Sequence, residues 1–198
     1  MTSLDGQGLK YVKPCKNLVR LNLAGTRLTD RSIVVTEFPP SLRDLSIANT
    51  AIRGSGLARL CKMNQIRTLN ASGSDLDDDG LKTIVSISGL MNLDLSHCAK
   101  ITDAGVRRIA ILSDLDYLNL RGTRTSDAAV EAIAAMPKLR MLTLRETQVT
   151  AQGVRRLSSS PSLKTLEADE TTVPPSLLRE ITHQGKSVPR RRAAPQTL

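Results

Sequence analysis

Aromatic residues are scarce: the 198-residue chain has no tryptophan, two tyrosines and one phenylalanine. Tyr11, Phe38 and Tyr117 are scattered along it, which argues against a platform for stacking unpaired bases and so against sequence-reading of single-stranded nucleic acid. There are two histidines, His97 and His183, and no zinc-ligand spacing, phosphate loop or nucleophile elbow. His97 stands beside Cys98, a thiol and a base, but adjacent residues of extended chain point to opposite sides, so these two side chains should diverge. No catalysis, cofactor or small-molecule substrate is expected. Cys15, Cys61 and Cys98 are odd in number and widely spaced, which excludes a disulfide framework. All three read as core filler, in or next to columns that otherwise hold Thr, Met, Ile or Leu. No apolar run has membrane-spanning length, and the opening MTSLDGQGLKYVKPC lacks the apolar stretch of a signal peptide. The expected location is the cytosol or the nucleus.

What is present is a repeat. LVRLNLAGTRLTDRSI begins at Leu18, and related stretches begin at Leu42, Ile66, Leu90, Leu115, Leu139 and Leu163. The starts are 24 residues apart, except for 25 between Leu90 and Leu115, where LSHCAKI carries one extra residue. In each copy L-x-x-L-x-L alternates as a short strand does, so Leu21 and Leu23 face one side and Asn22 the other. Apolar residues then recur at helical spacing, as in Val106 and Ile109, and Pro40, Pro137 and Pro161 precede the next strand. One such unit cannot bury both its strand face and its helix face; a stack of seven can. The acidic run SDLDDDG at Ser74–Gly80 looks like half of a calcium loop, but the twelfth position is Ser86 and not Glu. In the repeat register Leu76 is a core position, and Asp77 to Asp79 occupy a turn.

The pattern L-x-x-L-x-L-x-x-(T/S/C)-x-(L/I/V), often followed by T-D-x-G, resembles that of leucine-rich repeat proteins over nearly the whole chain. The resemblance implies an α/β solenoid, a curved horseshoe segment with a parallel β-sheet on its concave face and short helices on its convex face. The fourth copy, with Cys98 and Ile101-Thr102-Asp103-Ala104-Gly105, is similar to the cysteine-containing repeats of F-box substrate receptors. Copies with Gly25-Thr26 or Gly122-Thr123 look more like short bacterial repeats. The F-box likeness implies substrate recruitment for ubiquitin ligation; the stretch before Leu18 is too short for an F-box, so another chain would make the ligase contact. The expected organisation is a partial repeat at 1–17, seven repeats at 18–182, and a basic, disordered tail at 183–198.

Two surfaces are candidates for function. On the concave face the fifth copy onward carries Tyr117, Arg121, Met141 and Arg145, residue types enriched at interface anchors, with Glu146, Glu167 and Asp169 beside them. The bland alternative is that Arg145 and Asp169 neutralise each other across adjacent strands. On the outer ridge lie Lys82, Arg107, Arg108, Arg155 and Arg156, joined by Arg190, Arg191 and Arg192 of the tail, within a chain of net charge +9. The concave face points to a protein partner. The ridge and tail point to non-specific phosphate contact in a nucleic-acid or ribonucleoprotein setting, or to a merely solvated basic face.

Overall fold

The computed structural model describes residues 7–63, 65–169, 173, 174, 176, 177 and 181. Seven parallel strands form one sheet in chain order: β1 (Arg20–Asn22), β2 (Asp44–Ser46), β3 (Thr68–Asn70), β4 (Asn92–Asp94), β5 (Tyr117–Asn119), β6 (Met141–Thr143) and β7 (Thr165–Glu167). The register keeps the central leucines opposite one another, Leu21 to Leu45, Leu69, Leu93, Leu118, Leu142 and Leu166. From Leu45 onward they are almost fully buried, each worth roughly 2 kcal/mol of apolar transfer. Leu21, on the edge strand, stays partly exposed. A 3-10 turn at Gln7–Tyr11 lays Leu9 over that end of the core.

The opposite layer holds α1 (Asp30–Val34), α2 (Asp78–Ile84), α3 (Asp103–Ile109), α4 (Asp127–Ala134) and α5 (Ala151–Arg156). The second copy departs from the expected helix: Ser55–Lys62 is 3-10, entered through Gly54 at φ 114°. The helices start where polar side chains replace their missing partners. Asp77 accepts from the Asp79 and Gly80 N–H groups, Thr102 from Ala104, Ser126 from Ala128, and Thr150 from Gln152 and Gly153. Asp77 is thus a helix cap, Asp75 pairs with Lys100 and Asp79 with Lys82, which accounts for the acidic run as a structural turn.

The recurring Thr-Asp dipeptide also ties neighbouring copies together. Three of the cap residues donate the backbone N–H and the hydroxyl to the two oxygens of the preceding copy's aspartate. Thr102 reaches Asp78 at 2.9 and 2.6 Å, Ser126 reaches Asp103 at 2.7 and 2.6 Å, and Thr150 reaches Asp127 at 2.8 and 2.6 Å. Asp30 instead takes three backbone N–H groups of the second copy, from Arg53, Gly54 and Gly56. Gly54 occupies the aspartate column of that copy, and a Cβ there would lie 2.4 Å from Gly80 Cα. Close glycine contact replaces the carboxylate bridge between copies two and three.

Facing the strand ends, Thr26, Thr50, Ser74, Thr123 and Thr147 donate to the carbonyl three residues back, at 2.6 to 2.7 Å. Cys98 fills the same column, buried, and its thiol reaches Ala71 O of the preceding copy at 3.1 Å. Burial pushes this thiol above its ordinary range, against an opposing hydrogen bond from Ser74. Cys15 departs from the core role expected of it: it is exposed, with its thiol on Tyr11 O. The Cys61 side chain lies outside the described part of the structure.

Candidate functional site

The concave face is built by the strand positions between the buried leucines, and its first half offers little to a ligand. Asn22, Asn70, Asp94 and Asn119 each turn a side-chain oxygen back to the N–H two residues on, at 2.9 to 3.0 Å. These side chains close their own strand ends. The alternation of L-x-L carries no trace of that turn, so the sequence shows them only as a polar column.

From β5 onward the surface changes. Tyr117, Asn119, Arg121, Met141, Leu142, Thr143, Thr165 and Glu167 line a cleft of about 160 Å³. Met141 is 42% exposed on a strand residue whose neighbours Leu142 and Thr143 are buried. Burial raises the Tyr117 phenol above its usual range, helped by the charges of Asp94 and Glu167 and opposed by a hydrogen bond with Asn119. Four of the anticipated residues, Tyr117, Arg121, Met141 and Glu167, therefore share one depression. Asn119, Thr143 and Thr165 complete it and were visible only as members of their columns.

Arg145, Glu146 and Asp169 lie along its margin. Arg121 binds Glu146 Oε1 through Nε at 3.1 Å and through Nη2 at 2.5 Å, which lowers the carboxyl and raises the guanidinium. Asp169 accepts the Glu146 N–H at 2.5 Å. Arg145 Nε makes no hydrogen bond; the carboxylate 3.6 Å from it belongs to Glu167, two residues before the Asp169 expected to neutralise it. Glu146 and His97 have left-handed backbones, φ 56° and 58°, in a column that also holds Gly25, Gly73, Gly122 and the left-handed Asn49. Gly122 lies between them, and a Cβ there would be 2.7 Å from His97 Nδ1. Its absence lets His97 Nδ1 approach Glu146 Oε2 to 4.0 Å. Comparing that column along the copies was the signal that could have found this pair. His97 is half exposed while Cys98 is buried, so the two side chains do diverge.

The basic ridge is partly structural. Arg107 donates to Ala128 O of the next copy at 3.1 Å, Arg108 to Asp78 O of the preceding one at 3.3 Å, and Lys82 pairs with Asp79 at 2.6 Å. Arg155 and Arg156 line a separate convex groove of about 760 Å³ with Glu131, Ala134, Ala135 and Pro161. Arg190, Arg191 and Arg192 lie outside the described residues. A third depression, about 450 Å³, runs along the strand-entry side between Met91, Pro137 and Pro161, where Lys138–Asp114 and Arg140–Asp116 pairs form its rim. Among the described residues no group of three or more His, Cys, Asp or Glu side chains could hold a metal, and no helix is long and apolar enough to cross a membrane.

Residues 90–110 match a family model described as a leucine-rich repeat. No curated protein sequence matches the chain. Among solved structures it is similar to a chain of the mouse RP105/MD-1 complex, with 21% identity and TM-score 0.64, covering 87% of this chain and 30% of that one. It is also similar to the internalin inlF of Listeria monocytogenes, with 16% identity and TM-score 0.60, covering 91% of this chain and 56% of that one. The chain thus spans about a third and a little over half of these two neighbours. With its open, in-register parallel sheet and short helices opposite, the chain has the leucine-rich repeat fold, and its fourth copy matches a leucine-rich repeat in sequence.

Proposed function

We propose that the chain is a non-catalytic interaction scaffold that holds a protein partner on its concave face, across β5 to β7. One observation carries this reading. The half-buried Tyr117 and the 42% exposed Met141 stand together in a cleft on a sheet where Asn22, Asn70, Asp94 and Asn119 bond their own strand ends and Arg20 pairs with Asp44. Exposed apolar and aromatic surface beside a guanidinium is the composition of an interface core, and solenoids present such surfaces on their inner curve. One of the similar structures is itself a complex of two named components, RP105 and MD-1. The likeness of the fourth copy to F-box receptors adds a setting, recruitment of a substrate for ubiquitin ligation with another chain in contact with the ligase. The ridge supports nucleic-acid binding less well, because Arg107, Arg108 and Lys82 already have partners in the fold.

The test is capture of partners from cell extract on the full chain, compared with the Tyr117→Ala/Met141→Ala variant, with circular dichroism to show that both are folded. A discrete protein retained by the wild type and lost by the variant is the expected result. Equal retention by both would remove the concave cleft from the function.

A further inference from the structure

The charge of the concave face is opposite to that of the chain. The three strand columns that line it, with Glu146 at their margin, carry Asp44, Asp94, Glu146, Glu167 and Asp169 against Arg20, Arg121 and Arg145, five acids to three bases in a chain of net +9. Two of those bases hold a carboxylate in a hydrogen bond: Arg20 binds Asp44 at 2.9 Å, and Arg121 binds Glu146. The third, Arg145, forms an ion pair with Glu167 at 3.6 Å, longer than a hydrogen bond. Asp94 has no basic partner among the described residues; one of its oxygens takes the Ser96 N–H. Around Tyr117 the fold thus leaves the charge of Asp94 on β4 unpaired and holds that of Glu167 on β7 only in the longer pair with Arg145.

Resting on the scaffold reading, we propose that the cleft is a subsite for one arginine or lysine side chain, presented by an extended basic segment of the partner protein. The Tyr117 ring offers a face to the cation. The exposed Met141 takes the aliphatic stem, as long basic side chains lay their methylenes on apolar surface. Glu167 and Asp94 supply charge, the lining Arg121 is itself held by Glu146, and Asn119, Thr143 and Thr165 supply polar oxygens around the cleft, whose volume of about 160 Å³ suits a single side chain and not a folded element. Asp94 pairs in register with Asn119, two residues along β5 from Tyr117, and Glu167 lines the cleft together with the ring.

The probe is a set of four fluorescent peptide libraries with identical randomised flanks and a fixed central Arg, Lys, citrulline or Glu, equilibrated with the immobilised full chain. The Arg and Lys libraries should be retained at least about fivefold better than the citrulline library, a ratio within reach of a single charged contact at an interface. Glu167→Gln combined with Asp94→Asn, which keeps the side-chain shapes and the Ser96 turn, should erase that preference while circular dichroism shows the variant folded. General attraction to a chain of +9 would favour the Glu library, and that result overturns the inference. So does a basic preference that survives the double substitution. If a captured partner is lost with Tyr117→Ala/Met141→Ala but keeps its affinity for the Glu167→Gln/Asp94→Asn variant, the scaffold stands and the basic-segment inference fails.

Discussion

A methyl group on Gly80 would sit 2.0 Å from the carbonyl oxygen of Arg53, a backbone atom that cannot swing away. Gly25, at φ 68°, has nothing within 4 Å of the same added carbon. Two glycines of one repeat family thus do different things. Gly80→Ala forces the second and third copies apart and should cost about 2 kcal/mol in urea unfolding, as overpacking does. Gly25→Ala meets only the left-handed backbone penalty, about 1 kcal/mol, which His97 and Glu146 already bear in that column. Equal losses would show that the seam between copies two and three is looser than the geometry states. Cys98 gives a pH dependence at the same scale. Burial raises its folded-state pKa above the unfolded value, so the stability this neutral thiol contributes is complete below the ordinary thiol range and is lost as pH rises through and above it. Cys98→Ala lacks that slope. The stability difference between wild type and Cys98→Ala, followed by thermal unfolding, should narrow as pH rises through the thiol range; a constant gap would contradict the assignment. The buried leucines were legible in the sequence because their period is strict. The left-handed backbones of His97 and Glu146 were legible only by comparing their column across the copies, since neither residue taken alone announces its φ.

At the scale of elements, the aspartate that opens each of α1 to α4 acts less within its own copy than on the next. Asp103 receives both the N–H and the hydroxyl of Ser126, two bonds to a charged acceptor. Asp103→Ala orphans the cap of α4 and should destabilise the chain by about 2 kcal/mol. Asp79→Ala breaks only an exposed pair with Lys82 and should leave the melting temperature where it is. Comparable losses in the two variants would mean that the Thr-Asp bridge carries no inter-copy energy. The Thr-Asp dipeptide was plain in the sequence as a turn, but its reach across copies was not, because a one-dimensional pattern cannot show which copy an oxygen faces. Strand, turn and helix were legible for the same reason as the core. The 3-10 form of the second copy follows from Gly54, which removes both the aspartate and the backbone restraint of a regular helix start.

Over the whole molecule, stacking sets the two faces apart. Strand residues between the leucines must face inward to the curve, so the Tyr117, Arg121, Met141 and Glu167 grouping followed from the repeat register alone. What the register could not show was how the charges pair: Arg145 stands nearer Glu167 than expected, and Arg107 and Arg108 are tied to neighbouring copies. The result is a basic outer surface around an inner face on which acids outnumber bases. A partner held on the inner face should be insensitive to charge reversal outside it. The most direct measurement is the dissociation constant of the captured partner, by calorimetry, for the wild type and three full-length variants. These are Tyr117→Ala/Met141→Ala, Arg155→Glu/Arg156→Glu, and Arg190→Ala with Arg191→Ala and Arg192→Ala. The expected result is a loss of at least about tenfold confined to the first, as for truncated interface anchors. A loss confined to the ridge or tail variants, with the first unchanged, would contradict a concave-face scaffold and move binding to the basic surface.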